Sequence, residues 1–74
     1  MSWHYQATHR TDHGEDVYEV REVFPPDNPT GCLLWTKDAM APFGETKAEL
    51  IECLQMMLAD VQEFDVLYLD ALEP

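Results

Sequence analysis

The sequence predicts an α+β fold: a three-stranded antiparallel sheet packed by one C-terminal helix, βββα with a possible short fourth strand, in a single domain spanning 1–74. Three observations carry it. Residues 3–10 and 16–24 alternate in the period-two manner of half-buried strands, and a polar turn with a glycine separates them. Thr46 stands three residues before Glu49 at the head of a run whose apolar residues recur every three or four positions.

In the first strand Trp3, Tyr5 and Ala7 fall on one side, and His4, Gln6 and Thr8 on the other. Thr11-Asp12-His13-Gly14-Glu15 then reads as a hairpin turn, because Gly14 accepts positive φ at no steric cost. The second strand places Tyr18, Val20 and Phe24 opposite Val17, Glu19, Arg21 and Val23, with Arg10 and Arg21 in reach of carboxylates. Residues 25–31 hold three prolines and Gly31, so they read as a loop. Residues 32–36 are short and apolar and suit a third strand, and 37–44 lead irregularly to the helix.

In the capping box, Thr46 and Glu49 each satisfy a backbone N–H at the helix start. Leu50, Ile51, Leu54, Met57, Leu58 and Val61 form one apolar stripe expected to face the sheet. Glu49, Glu52, Met56, Asp60 and Glu63 are expected on the opposite, outer side. The run 66–69 reads as a last edge strand, or as an apolar tail that docks on a second copy.

The composition narrows the functional classes. Apolar residues make up 46% of the chain, which argues for a folded core rather than a disordered acidic tail. The formal charge is −11, and it is lopsided: from Asp38 onward Lys47 alone opposes nine carboxylates, a net of −8. Nucleic-acid binding needs lysine and arginine to displace counterions, so no direct nucleic-acid partner is expected. A basic, nucleic-acid-binding protein is the partner that such a surface fits, since opposite potentials steer encounter; the same charge also serves solubility. No apolar run approaches the length that crosses a bilayer, so no membrane role is expected, and a cytoplasmic location with reduced thiols is the default.

Catalytic and metal chemistry finds little support. His4 and His9 are an odd number apart and point to opposite strand faces, with His13 in the turn, so no metal site or cofactor is expected and the histidines read as solvent-facing. Cys32 and Cys53 lack the paired spacing of a zinc or redox site and read as buried structural thiols. Carboxylate pairs such as Glu15 with Asp16 match no cation loop, and no nucleophile elbow, P-loop or dinucleotide fingerprint is present. The chain therefore reads as a non-enzyme whose partner-binding residues are Glu49, Glu52, Met56, Asp60 and Glu63.

Phe24-Pro25-Pro26-Asp27, then Pro29-Thr30-Gly31-Cys32, then Gly44-Glu45-Thr46-Lys47-Ala48-Glu49 stand in the order of Phe-Pro-Asp, Pro-Gly-Cys and Gly-x-Thr-x-x-Glu. Over residues 3–62 the chain thus resembles the HicB-like antitoxin domain. That resemblance implies a βββα(β) fold, a tendency to form homodimers, and a role masking a small basic RNA-binding toxin. In composition the chain is also similar to phage-encoded inhibitors of host defence, among them anti-CRISPR and anti-restriction proteins that imitate nucleic-acid charge. Both imply an acidic surface that inhibits a basic, nucleic-acid-handling partner. The alternative is a structural or assembly protein that self-associates through 66–69 and the sheet edge.

Overall fold

The computed structural model describes residues 2–26 and 31–72. Its elements in chain order are β1 (His4–Asp12), β2 (Glu15–Phe24), β3 (Leu34–Trp35), α1 (Lys47–Glu63), β4 (Leu67–Tyr68) and the short α2 (Leu69–Leu72). The α+β class is as expected, but the sheet has four strands, is mixed, and runs in the order β3-β2-β1-β4. Nor is α1 the last element, since β4 and α2 follow it.

The β1–β2 hairpin closes at Asp12 opposite Glu15 across a two-residue turn. His13 and Gly14 both take positive φ, 50° and 81°, which is the turn that matches the right-handed twist of paired strands. The register runs on to His4 opposite Val23. It puts Gln6, Thr8 and Arg10 on one face with Arg21, Glu19 and Val17, and Tyr5, Ala7 and His9 on the other with Glu22, Val20 and Tyr18.

The third strand shrinks from the expected 32–36 to Leu34–Trp35, antiparallel to β2. Beyond it the chain still uses the edge of β2: Thr36 and Met40 donate their N–H groups to Glu22 O and Val20 O. At the other edge β4 pairs with β1 in parallel, Thr8 with Leu67 and His9 with Tyr68, and the Asp70 carboxylate accepts from Thr11 N–H at 3.0 Å. The run 66–69 is thus spent inside its own chain, with Leu69 buried. A parallel neighbour was not expected; it forms because α1 carries the chain back along β1 before β4 begins.

Both sheet faces contribute to a small core. Among the described residues its buried apolar members are Tyr5, Val23, Met57 and Leu69, joined by the buried polar pair Thr8 and Arg21. The radius of gyration, 13.4 Å, exceeds the roughly 11 Å typical of a globular chain of this length. Most of the expected proline loop, residues 27–30, lies outside the described residues, as do Asp27, Pro29 and Thr30 of the motifs quoted above. Among the described residues no helix is long and apolar enough to cross a membrane.

Candidate functional site

The helix that carries the expected contact residues starts at the expected cap, although among the described residues only the threonine half of the box forms. Thr46 is extended, with φ −132° and ψ 164°, and its hydroxyl accepts from Glu49 N–H at 3.1 Å. Gly44 lies so close to this first turn that a Cβ there would come within 2.7 Å of the Glu49 carbonyl carbon. At the far end Phe64 N–H closes the last turn on Asp60 O at 3.0 Å. The Phe64 ring stacks on His4 with 3.7 Å between centroids.

Three faces of α1 follow from the ~100° step between residues. Leu50, Cys53, Met57, Asp60 and Val61 turn toward the sheet, where the Tyr5 hydroxyl lies 4.0 Å from Cys53 Sγ. Burial, with the thiol beside it, raises the Tyr5 pKa above the ordinary phenol value. Glu49, Glu52, Met56 and Glu63 share one exposed flank, and Met56 keeps 51% of its surface. On the other flank lie Lys47, Ile51, Leu54 and Leu58, all exposed.

Two expectations change here. The apolar stripe is wider than the sheet can cover, and Ile51, Leu54 and Leu58 stay exposed. Asp60 is not on the outer side with the other carboxylates: it is half-buried, and its Oδ2 accepts the Tyr5 backbone N–H at 3.0 Å. The structure therefore brings Glu49, Glu52, Met56 and Glu63 together and sets Asp60 to hold the helix on β1.

A second feature escaped the sequence reading. Three of the chain's four basic residues, Arg10, Arg21 and Lys37, line one open cavity of about 570 Å³, with Trp35 beside them and Glu19, Asp38 and Asp70 among them. Its charges are largely used internally. Glu19 Oε1 accepts from Arg10 Nε at 2.7 Å and from Arg21 Nη1 at 3.2 Å, and Arg21 Nη1 also donates to Thr8 Oγ1 at 2.6 Å. The hydrogen bond from Arg10, with the help of Arg21, holds the Glu19 carboxyl below the ordinary glutamate range; the same bond raises Arg10. Arg21 Nε is buried with no partner. The alternation did mark both arginines as carboxylate partners, but a single glutamate serving both needs the cross-strand register, which composition does not reveal.

The histidines are less exposed than expected. His9 is only 13% exposed at its side chain, with Nε2 2.8 Å from Asp16 Oδ1 and its ring between Tyr18 and Tyr68. His4 Nε2 is 2.8 Å from Gln6 Oε1, and His13 alone is open in the turn. Cys32 is exposed rather than buried, and Cys53 is half-buried. Among the described residues no group of three or more His, Cys, Asp or Glu is placed to hold a metal ion. No family model, curated protein or solved structure matches the chain.

Proposed function

We propose that this chain is a non-enzymatic acidic binding protein that masks a basic, nucleic-acid-handling partner, in the manner of an antitoxin or of a phage-encoded inhibitor of host defence. The observation that carries the reading is the exposed flank of α1, where Glu49, Glu52 and Glu63 surround Met56. Among the described residues no salt bridge joins this flank to a base: Arg10 and Arg21 are bound to Glu19, Lys37 lines the cavity beside them, and Lys47 sits on the opposite flank of the helix. A partner offering lysine and arginine around an apolar dimple would match that flank in both charge and shape. Asp60, the fifth residue of the expected set, supports the flank from behind.

The test is capture of partners from host lysate by the tagged chain, washed at low and high salt, followed by E49Q/E52Q/E63Q against whatever is captured. At about 0.5 kcal/mol for each exposed ion pair, the triple variant should bind roughly tenfold more weakly and with a shallower salt dependence. Unchanged affinity and salt dependence would remove the flank from the interface. Capture of the chain alone would favour self-assembly as its function.

A further inference from the structure

The cavity beside Trp35 lies on the sheet face away from α1, since Arg10, Glu19 and Arg21 point opposite to the Tyr5 that the helix covers. We propose that this cavity binds a small zwitterion of the amino-acid class, whose carboxylate meets Arg10, Arg21 and Lys37 while its ammonium meets Asp38 and Asp70. The site shares no residue with the acidic flank of α1 and does not depend on the masking role.

Three observations argue for a ligand there. Three of the chain's four bases surround about 570 Å³ of open space, which is room enough for a small molecule and the place where so acidic a chain can hold a carboxylate. The sheet wall of this space is already set. Arg21 is only 4% exposed and is fixed by Thr8 Oγ1 at 2.6 Å and Glu19 Oε1 at 3.2 Å, and Glu19 also holds Arg10. Such a wall loses little side-chain freedom when a ligand arrives. Arg21 also keeps donors unused: among the described residues both of its bonds leave from Nη1, and Nε is buried with no partner. An unmet donor on a buried guanidinium is costly, and an acceptor supplied from the cavity lowers that cost.

The balance of charge selects the ligand class. Arg10, Arg21 and Lys37 are matched around the cavity by Glu19, Asp38 and Asp70, so a polyanion gains no net attraction there and meets the −11 of the whole chain besides. Glu19 is shared by both arginines, and one oxygen of Asp70 accepts Thr11 N–H at 3.0 Å. Among the described residues Lys37 and Asp38 make no salt bridge, which leaves one cation and one anion adjacent on the segment after β3. A molecule with both charges satisfies both and brings no net charge into an acidic chain. Trp35, which precedes them, offers an apolar surface to the carbon skeleton.

The experiment is titration of the isotope-labelled full chain with L-alanine, propionate and ethylamine at neutral pH and constant ionic strength, followed by nuclear magnetic resonance. Propionate lacks the ammonium of alanine, and ethylamine lacks its carboxylate. Alanine should bind with a Kd of about 1 mM, shifting the amides of residues 35–39 and the Nε–H of Arg21 and leaving the amides of α1 in place. Propionate and ethylamine should each bind at least about tenfold more weakly. Lys37→Gln and Lys47→Gln each remove one charge at an exposed position, the first at the cavity and the second on α1, so neither threatens the fold. Lys37→Gln should weaken alanine about tenfold, whereas Lys47→Gln should change it by less than about twofold. Asp38→Asn should weaken alanine and leave propionate as it was or tighter. Propionate that binds as tightly as alanine, or an Asp38→Asn variant that keeps full affinity for alanine, overturns the zwitterion as ligand. Shifts centred on α1, or equal losses in the two lysine variants, overturn the site. So does a chain that none of the three probes perturbs, where water alone serves Arg21.

Discussion

Replacing Asp60 by alanine separates the carboxylate that holds the helix from those that face outward. Its Oδ2 accepts the Tyr5 N–H at 3.0 Å, and Tyr5 is buried, so the variant strands a covered backbone donor. Losing a hydrogen bond to a charged acceptor costs about 2 kcal/mol. Alanine returns roughly 0.5 kcal/mol through its better helix propensity, leaving a net loss near 1.5 kcal/mol. For a chain whose total stability is expected at about 4–11 kcal/mol, that loss lowers the Tm by roughly 6–12 °C. Asp60→Asn keeps an acceptor oxygen and should lose less than half as much. Glu52→Ala, on the exposed flank, should stay within about 0.5 kcal/mol of the wild type. Thermal melts followed by far-ultraviolet circular dichroism measure all three, at one protein concentration so that any dimer contributes equally. If Asp60→Ala melts with Glu52→Ala, the helix is rotated relative to the sheet and Asp60 belongs with the outer carboxylates.

Two further perturbations probe the supports of the site. Gly44→Ala should destabilise by about 1–3 kcal/mol, because the new Cβ meets helix backbone rather than a yielding side chain; a gain in Tm would show that the helix start is free to move. Glu19 titrates below its ordinary range in the folded chain, so its contribution is present in full above the unfolded value and is lost as pH falls through the folded one. The Tm advantage of the wild type over Glu19→Gln should therefore be flat at neutral pH and shrink on acidification, and an advantage that grows in acid would contradict the pairing with Arg10 and Arg21.

Much of the hairpin was legible because its signals are local. Alternation marked both strands, and Gly14 marked the turn. The capping threonine did the same for α1, since Thr46 needs only residues three positions away to act. The fourth strand was legible as an apolar run and illegible as a parallel one. Leu67 and Tyr68 form a two-residue pairing whose direction depends on how α1 returns the chain, and no residue in the run encodes that. Trp35 and Leu34 likewise paired over a shorter stretch than their apolar neighbours implied, because Thr36 and Met40 reach β2 through single backbone bonds outside a regular ladder.

The helix shows why the site itself was harder to read. Apolar spacing reports which residues avoid water, not which surface removes them from it, and α1 carries more apolar width than its sheet can cover. Asp60 was assigned outward with Glu49, Glu52, Met56 and Glu63, yet its position one turn from Met57 and Phe64 puts it over β1, where a carboxylate is stable only because a backbone donor meets it. Once Asp60 is taken inward, the outer surface of α1 divides by chemistry. Glu49, Glu52 and Glu63 around Met56 offer charge, whereas Ile51, Leu54 and Leu58 offer area. Association of the first with a basic partner should weaken as salt screens it, and that dependence is the measurement that assigns this flank.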